Sequence, residues 1–315
     1  MPRYSHALQN IQQMDRPDWL RVRAPTGPNY DRIHDLLSNN GLHTVCEEAH
    51  CPNIGECWGV GTATFMLMGD VCTRGCRFCM VKTGNPRGKL DGFEPLKIAR
   101  TIAALNLKYV VITSVDRDDL PDGGAEHFAS TIGAIKKTDP HVIVEVLIPD
   151  FRGNLSHISK IVESKPEVIA HNIETTARLT ARVRDPRANY RQSLDVLQNI
   201  KKRDSSIYSK SSIMLGLGED EVDLLSTMKD LREMNVDILT LGQYLQPSRT
   251  HIPVANFIPP EQFQRYKEEA EAMGFLYVAA GPLVRSSYRA SEFFIEALIR
   301  KRNLQIASDR KPSFH

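Results

Sequence analysis

The stretch GDVCTRGCRFC, residues 69–79, decides which fold this sequence predicts. It follows a short apolar run at Thr62–Met68 and places Cys72, Cys76 and Cys79 in the spacing C-x3-C-x2-C. Three thiolates on a short loop can hold three irons of a four-iron cluster, whereas full ligation takes four cysteines. A zinc site is the alternative, but structural zinc usually has four protein ligands, often in C-x2-C pairs. The spacing therefore favours an iron–sulfur cluster with one open iron.

Beyond this loop, short β-branched runs alternate with longer amphipathic segments. The predicted strands are Thr62–Met68, Tyr109–Val115, Val142–Ile148, Val168–Ile173, Ser212–Leu217 and Ile238–Tyr244. The predicted helices are Leu96–Leu105, Ala125–Lys137, Leu155–Lys165, Tyr190–Lys202, Asp220–Met234 and Pro260–Met273. The strand runs are apolar enough to be buried on both faces, as in parallel sheets. Six strand–helix units in series therefore predict an α/β fold with right-handed crossovers, whose parallel sheet is curled or closes into a partial barrel.

The two ends of the chain depart from this pattern. The N-terminal part is rich in Pro, Asn, His and Cys, with one short helical pattern at Tyr30–Ser38. After the sixth helix come an apolar run at Phe275–Ala280 and a predicted final helix at Arg289–Arg302. The predicted division is an N-terminal extension at 1–60, a barrel at 61–280 and a C-terminal extension at 281–315.

Polar residues gather where the predicted strands end. The clusters after strands two, four, five and six are residues 113–119, 171–174, 216–219 and 243–246. In a parallel barrel the chemistry takes place at the carboxyl ends of the strands. We therefore expect these clusters and the cysteine loop to face one site.

The composition limits the class of protein. The chain has 315 residues, of which 41% are apolar and 25% charged, and these near-average values exclude wholesale disorder. A net charge of +2 argues against a polyelectrolyte binder, so we expect neither nucleic acid nor membrane as a partner. No apolar run reaches the length of about 18 residues that a transmembrane helix needs. The N-terminal residues also lack the apolar core of a secretory signal.

The cysteines point to a reducing compartment. All six lie between Cys46 and Cys79. Disulfides typically staple separate segments of small secreted domains, whereas thiols gathered in one short window favour metal or cluster ligation. We expect a prokaryotic cytoplasm, or a mitochondrial matrix or plastid stroma in a eukaryote.

A second cysteine triplet precedes the first strand. Cys46, Cys51 and Cys57 have the spacing C-x4-C-x5-C, and Pro52 suits a loop that wraps around an object. Two triplets of different spacing, with no cysteine left over, predict two clusters. Near the other end of the chain is RSSYRA, residues 285–290. On their own its two serines are typical of a helix N-cap.

The combination of these motifs resembles the lipoyl synthase family of the radical S-adenosylmethionine superfamily. The likeness includes RPDWLRVRAP (16–25), CPNIGECW (51–58), GDVCTRGCRFC (69–79), TSVDRDDLPDGGA (113–125), HNIET (171–175), KSSIMLGLGE (210–219), LTLGQYLQPS (239–248) and GPLVRSSYRA (281–290). It implies a partial (βα)6 TIM-like barrel. It also implies that a [4Fe–4S] cluster on Cys72, Cys76 and Cys79 binds S-adenosylmethionine at its open iron. Reductive cleavage would then give methionine and a 5′-deoxyadenosyl radical, which abstracts hydrogen from unactivated carbon.

The resemblance also implies a sulfurtransferase. Its substrate would be an octanoyl chain on a lysine of a lipoyl carrier domain, which gains sulfur at C6 and C8. A second, auxiliary [4Fe–4S] cluster on Cys46, Cys51, Cys57 and a serine would be the sulfur donor. The family pattern assigns that serine to Ser287, with Ser286 as the less favoured choice. The N- and C-terminal extensions would thus build the auxiliary site together.

The implied partners follow from the same resemblance. They are octanoylated carrier domains, namely E2 subunits of 2-oxoacid dehydrogenases and the glycine cleavage H protein, and an electron donor such as ferredoxin or flavodoxin.

Five polar residues at the strand ends are candidates to bind S-adenosylmethionine: Ser114, Asp116, Asn172, Glu174 and Arg184. Asn172 and Glu174 could hydrogen-bond the ribose or the methionine part, and Arg184 could pair with the carboxylate. The alternative for each is a structural ion pair or a loop cap.

Other polar residues are predicted to be structural. His141 and His171 are isolated beside strands, which is typical of structural histidines. The basic runs 201–203 and 300–302 are expected at helix C-termini, where positive charge offsets the helix dipole. A docking patch for an acidic carrier domain is the alternative for those runs.

Three other classes of protein remain as alternatives at this stage. The first is another sulfur-inserting radical enzyme, similar to biotin synthase or to a methylthiotransferase, but the former does not account for C-x4-C-x5-C with RSSYRA, and the latter predicts an RNA-binding module. The second is an iron–sulfur scaffold or redox carrier, which would need neither the strand–helix units nor a three-cysteine loop. The third is a zinc-binding structural module.

Overall fold

The computed structural model describes residues 17–22, 26–59, 62–287 and 296–300. Its strands are β1 (His43–Thr44), β2 (Thr64–Leu67), β3 (Val71–Cys72), β4 (Lys82–Thr83), β5 (Tyr109–Ser114), β6 (Ile143–Leu147), β7 (Val168–Ala170), β8 (Tyr208–Leu215), β9 (Ile238–Gln243) and β10 (Tyr277–Gly281). Its helices are α1 (Pro28–Asn40), α2 (Val45–Glu48), α3 (Ile54–Gly59), α4 (Glu94–Leu105), α5 (Ala125–Thr138), α6 (Leu155–Glu163), α7 (Thr180–Val183), α8 (Tyr190–Arg203), α9 (Glu221–Glu233) and α10 (Pro260–Ala272).

One eight-stranded sheet organises the molecule, in the order β1-β2-β5-β6-β7-β8-β9-β10. Every neighbouring pair from β2 to β10 is parallel, and only β1 runs antiparallel, against β2. The predicted parallel α/β architecture is therefore confirmed. The apolar run after the sixth helix forms β10, a further parallel strand beyond the six predicted strand–helix units.

The predicted helices exist, and local caps set their ends. Asp220 was expected to open the fifth helix, but it is the N-cap of α9, where its side chain accepts a hydrogen bond from the Asp223 backbone N–H at 2.8 Å. Asn154 caps α6 in the same way through the Ser156 N–H at 3.0 Å. The left-handed backbone of Asn106 ends α4.

The fifth predicted strand was placed too late in the sequence. It was expected at Ser212–Leu217, whereas β8 begins at Tyr208 and ends at Leu215. Its first half contains two buried polar side chains, Ser209, which bonds to Asp237 just before β9, and Lys210, which bonds to Glu145 on β6. An apolar pattern cannot reveal such a strand. Gly216, with φ at +94°, ends it.

The N-terminal part has more structure than expected. The helix predicted at Tyr30–Ser38 lies inside α1, but α2 and α3 were not predicted. Cys46 is in α2 and Cys57 is in α3, so two short helices, rather than an irregular loop, carry the outer cysteines of this triplet. The division at residues 60 and 280 remains a prediction.

The predicted final helix falls only partly within the described residues. Residues 296–300 are helical, whereas 289–295 and 301–302 lie outside the described part of the chain. Ile299 is buried against a cluster that includes Tyr109, Ile143 and Val168, which are the first residues of their strands. This helical segment therefore lies at the amino ends of the strands, opposite the cysteine loop.

Within the described residues, no helix combines the length and the apolar character needed to cross a membrane.

Candidate active site

All six cysteines line one cavity of about 600 Å³ at the carboxyl ends of the strands. Its other lining residues include every position predicted for the site: Ser114, Asp116, Asn172, Glu174, Arg184, Ser286 and Ser287. None of the six cysteines forms a disulfide. The fold thus brings together two triplets and a C-terminal segment that are far apart in sequence.

Neighbouring loops hold the loop that carries Cys72, Cys76 and Cys79. The backbone N–H groups of Arg74 and Asp116 donate to Cys72 Sγ at 3.4 and 3.3 Å. The N–H of Asp185 donates to Cys76 Sγ at 3.3 Å. Hydrogen bonds to sulfur favour the thiolate, which is the form that binds iron.

A reciprocal contact ties the loop to the segment after α7. The Asp185 carboxylate accepts from the Gly75 N–H at 2.8 Å, while its own N–H donates to Cys76. From the other side, His251 Nε2 donates to the carbonyl of Cys79 at 3.0 Å, and the Ile252 N–H donates to the carbonyl of Arg77 at 3.1 Å. These contacts give the loop a defined path without any bound group.

Arg74 anchors the same loop to the sheet. Its side chain is only 3% exposed and forms paired hydrogen bonds with two carboxylates, Asp118 at 2.9 and 3.0 Å and Asp150 at 2.7 Å for both bonds. These aspartates follow β5 and β6. The sequence analysis did not single out Arg74, although it is a charged residue between two cysteine ligands.

Burial strongly affects the thiols. Burial and the nearby charge of Asp116 together raise the pKa of Cys72 and of Cys76 to about 12. Burial likewise raises the pKa of Cys46 and of Cys79 to about 11. A buried thiol of this kind gives up its proton when a metal replaces it.

The second triplet and the C-terminal segment meet at the cavity. The Asn53 side chain, between Cys51 and Cys57, donates from Nδ2 to the carbonyl of Leu283 at 2.7 Å. The Arg285 guanidinium lies near Cys51, where its charge opposes the rise in the Cys51 pKa that burial causes. Asn53 is another polar residue inside a cysteine motif that the sequence analysis did not use.

The segment at residues 282–285 also rests on β9. A Cβ added to Gly242 would lie 2.0 Å from the carbonyl oxygen of Val284. Only glycine allows this approach of the two backbones. Arg285 Nη1 then donates to the carbonyls of Val284 at 2.7 Å and Gln243 at 3.3 Å, which holds the serine pair beside the cavity.

Two buried polar atoms of the site lack a hydrogen-bond partner in the described structure: Ser114 Oγ and Asn172 Oδ1. The Trp58 indole lies against Cys46, whose pKa it lowers. Ser114 and Asn172 line the cavity. Buried polar atoms normally have partners, so these positions fit bound groups that supply them. The residues present thus suit iron–sulfur ligation and a polar cofactor.

Among the described residues, no three His, Cys, Asp or Glu side chains converge so that they could share one metal ion. In a four-iron cluster each thiolate binds a different iron, so the ligands need not converge on one point.

Comparison with known proteins identifies the family. The model for the N-terminal domain of lipoyl synthase matches residues 3–51, and the radical SAM superfamily model matches residues 66–231. Lipoyl synthase of Myxococcus xanthus is 56% identical over 290 residues, which are 92% of this chain and 97% of that protein. The mitochondrial lipoyl synthase of Homo sapiens is 54% identical over 299 residues, covering 93% of this chain and 80% of that protein. The chain belongs to the lipoyl synthase family.

Solved structures agree with the family at the level of the fold. Methylornithine synthase has a TM-score of 0.52 at 12% identity, over 80% of this chain and 85% of that chain. The FeFe-hydrogenase maturase HydG from Carboxydothermus hydrogenoformans has a TM-score of 0.51 at 13% identity, over 75% and 65% of the two chains. These likenesses support a partial TIM-like barrel. Membership of the radical SAM superfamily implies S-adenosylmethionine and a [4Fe–4S] cluster as cofactors.

Two arginines act on the acidic residues predicted to bind S-adenosylmethionine. Burial raises the pKa of Glu174, while the charge of Arg184 opposes that rise. Burial raises the pKa of Asp116 to about 6, and Arg74 is the main opposing charge. Asn172 Nδ2 donates to Glu174 Oε1 at 3.1 Å and so orients this carboxylate. Their binding roles in this member of the lipoyl synthase family remain predictions.

Contacts decide two of the remaining polar predictions, whereas residues 301 and 302 of the second basic run lie outside the described part of the chain. His171 is buried with both ring nitrogens hydrogen-bonded, as expected of a structural residue, and His141 lies on the surface. Lys201, at the end of α8, bonds to the carbonyls of Ser205 and Ile207, both at 3.0 Å. It therefore closes a helix end at the amino side of the sheet, away from the cavity.

Proposed function

We propose that this chain is a radical S-adenosylmethionine sulfurtransferase, a lipoyl synthase. It inserts two sulfur atoms, at C6 and C8, into an octanoyl chain carried on a lysine of a lipoyl carrier domain. The observation that supports this most is the lining of one cavity by both cysteine triplets and the Ser286–Ser287 pair. A redox carrier would have no need for a cavity of about 600 Å³ between its cysteine groups.

Cys72, Cys76 and Cys79 would hold the radical-generating cluster. When bound, this cluster and S-adenosylmethionine supply a one-electron cleavage that yields a 5′-deoxyadenosyl radical. The chain's own residues bind and orient the cofactor. Arg184 pairs with its carboxylate, and the unpartnered Asn172 Oδ1 and Ser114 Oγ take its polar groups.

Cys46, Cys51 and Cys57 would hold the auxiliary cluster, with Ser287 as the fourth protein ligand and Ser286 as the alternative. When bound, this cluster supplies the two sulfur atoms. A serine oxygen is a harder donor than a thiolate and is less well matched to iron in a sulfide environment. Ser287 is therefore the ligand best suited to leave, while the three thiolates keep their hold.

Apolar side chains line the cavity together with the two triplets. They include Met66, Leu147, Ile213 and Met214. An octanoyl chain has only apolar surface along its methylene groups, so this wall suits it and keeps water away from a reactive radical.

The protein partners are proposed on the same basis. The substrates would be E2 subunits of 2-oxoacid dehydrogenases and the glycine cleavage H protein, and the reductant would be ferredoxin or flavodoxin. A prokaryotic cytoplasm suits these partners. Mitochondria or plastids are the alternative, since the relatives in Homo sapiens and Plasmodium knowlesi are named as mitochondrial and apicoplast enzymes.

Anaerobic mass spectrometry tests the proposal. The protein is reconstituted with iron and sulfide, then mixed with S-adenosylmethionine, a strong reductant and a peptide that carries octanoyl-lysine. We expect a product in which two C–S bonds replace two C–H bonds, with one 5′-deoxyadenosine formed for each hydrogen removed. Formation of 5′-deoxyadenosine without sulfur gain would keep the radical chemistry but reject the substrate.

Two variants separate the roles of the auxiliary ligands. We expect Cys51→Ala to abolish sulfur insertion while cleavage of S-adenosylmethionine persists. Ser287→Ala should keep the auxiliary cluster but alter the rate of sulfur insertion, and Ser286→Ala serves as its matched control. Full lipoyl formation by Cys51→Ala would refute the role of this cluster as sulfur donor.

A further inference from the structure

A series of buried hydrogen bonds beside the cavity joins Arg184 to Ser193 and His171, two side chains that the proposed reaction does not use. It runs from the carbonyl of Ile148, after β6, through His171 and Ser193 to Arg184. The distances are 2.9 Å from Ile148 O to His171 Nδ1, 2.9 Å from His171 Nε2 to Ser193 Oγ, and 2.9 Å from Ser193 Oγ to Arg184 Nη1. His171, Ser193 and Arg184 are all buried.

The chemistry of the groups determines the direction of each bond. The carbonyl of Ile148 can only accept, so Nδ1 of His171 carries a proton. In the neutral ring Nε2 is then an acceptor, to which the Ser193 hydroxyl donates. The guanidinium of Arg184 can only donate, and Ser193 Oγ accepts from it. Each of these hydrogen bonds therefore has a defined donor and a defined acceptor.

The surroundings keep His171 in this neutral form. Burial and the charge of Arg184 together lower the pKa of His171 to about 4. A protonated ring would present an N–H to Ser193 in place of an acceptor. The hydroxyl would then have to turn, and its geometry toward Arg184 would change.

Arg184, at the end of this series of hydrogen bonds, lies at the site. Arg184 lines the cavity, and its charge acts on the carboxylates of Glu174 and Asp116, which line it too. Nη1 is tethered to Ser193, with a longer contact of 3.4 Å to the carbonyl of Ile173. A long, flexible side chain that lines the cavity is thereby held in one orientation.

We propose that Ser193 and His171 are positioning residues, which hold Arg184 in the orientation that binds the carboxylate of S-adenosylmethionine. This inference rests on the proposed function, because it requires S-adenosylmethionine as the ligand of Arg184. Ser193 directs Nη1, and His171 directs the Ser193 hydroxyl. Without them the guanidinium has to be ordered when the ligand binds, and affinity falls.

The test compares the affinity of two ligands that differ in one group. Anaerobic equilibrium dialysis on the reconstituted protein measures Kd for S-adenosylmethionine and for its decarboxylated analogue, which keeps the amino group, sulfonium and adenosine. We expect Ser193→Ala to weaken binding of S-adenosylmethionine about tenfold, the scale of one hydrogen bond to a charged group. Binding of the decarboxylated analogue should stay within about twofold of wild type, because it has no carboxylate to lose.

Substitutions at His171 test whether its ring accepts the hydrogen bond from the Ser193 hydroxyl. Glutamine can offer an acceptor oxygen to the Ser193 hydroxyl, so His171→Gln should keep most of the affinity. His171→Leu removes the acceptor and should weaken S-adenosylmethionine binding as Ser193→Ala does. Ser209→Ala is the matched control, since Ser209 is also fully buried, but at the start of β8, where it bonds to the Asn235 carbonyl.

The possible outcomes are distinct. Equal losses for both ligands, or a loss in Ser209→Ala as large as in Ser193→Ala, would mean general destabilisation and overturn the inference. Unchanged affinity in Ser193→Ala, with tight binding by the wild type, would overturn it as well and leave the proposed function intact. If the wild-type protein itself binds no S-adenosylmethionine, both the function and the inference fail.

Discussion

At the scale of single residues, buried charges in the loops around the cavity determine how the cysteine loop is held. Arg74 is the central example, because its guanidinium bridges Asp118 and Asp150 while its backbone N–H donates to Cys72. Breaking a buried pair leaves a desolvated charge without a partner, which costs far more than losing a pair on the surface.

We expect Arg74→Lys to lower the free energy of unfolding by about 3 kcal/mol, because one ammonium group cannot serve both carboxylates. The amount of iron bound at the proposed site of Cys72, Cys76 and Cys79 should also decrease. Urea unfolding and iron analysis measure the two effects. Arg178→Lys is the control, because Arg178 pairs with Asp223 at a half-exposed site. Comparable losses in both variants would contradict the anchoring role of Arg74.

His171 gives a pH dependence whose sign follows from its lowered pKa. The unfolded ring, with the ordinary pKa of 6.5, binds a proton well before the folded ring, whose pKa is about 4. The folded state therefore loses stability as pH falls from 6.5 toward 4. Between pH 7.5 and pH 5 the loss from this group should be about 2 kcal/mol. Urea unfolding of His171→Gln should show a smaller pH dependence than wild type by that amount, and an equal slope would disprove it.

At the scale of elements, the proposed auxiliary site depends on how the C-terminal segment lies on β9. This contact requires a glycine at position 242, since any Cβ there meets the Val284 carbonyl. Asn53 secures the same segment from the side of the cysteine triplet. Contacts from two different parts of the chain, Gly242 on β9 and Asn53 between the cysteines, therefore position the serine pair.

We expect Gly242→Ala to displace the segment that carries Ser286 and Ser287 and so to reduce iron at the auxiliary site. The radical cluster should remain, because its three cysteines are on another loop. Iron analysis with Mössbauer spectroscopy distinguishes the two clusters. Gly133→Ala is a matched control in α5, where an added Cβ meets nothing within 4 Å. It should be neutral or stabilise by about 0.5–1 kcal/mol. Full iron content in Gly242→Ala would contradict this account.

At the scale of the whole molecule, the two ends of the sheet have separate tasks. The carboxyl ends carry the cavity and all six cysteines. The amino ends carry an apolar cluster closed by Ile299 from the C-terminal helical segment. A substitution at the amino ends should therefore change stability without changing ligand binding at the carboxyl ends.

We expect Ile299→Ala to lower the free energy of unfolding by about 2–4 kcal/mol through loss of buried surface. The Kd for S-adenosylmethionine should not change. Thermal unfolding and equilibrium dialysis on the same preparation measure the two quantities. A large change in Kd would show that the two ends are coupled.

The class of fold could be predicted from the sequence alone. Cysteine spacings of a few residues are local, so Cys72, Cys76 and Cys79 could be proposed as ligands of the radical cluster without any tertiary information. The alternation of buried strands and amphipathic helices is equally local, and it predicted the parallel sheet. The start of β8 was missed because Ser209 and Lys210 are polar, and only their partners in space explain their burial.

Only the tertiary structure decided what surrounds the cysteines. It places the Cys46–Cys57 triplet beside Leu283 and the serine pair, and Arg74 between two carboxylates from different strands. It also shows that His171 is connected to Arg184. These contacts join residues that are distant in sequence, and their energy depends on burial and on hydrogen-bond geometry. Both exist only after the chain has folded.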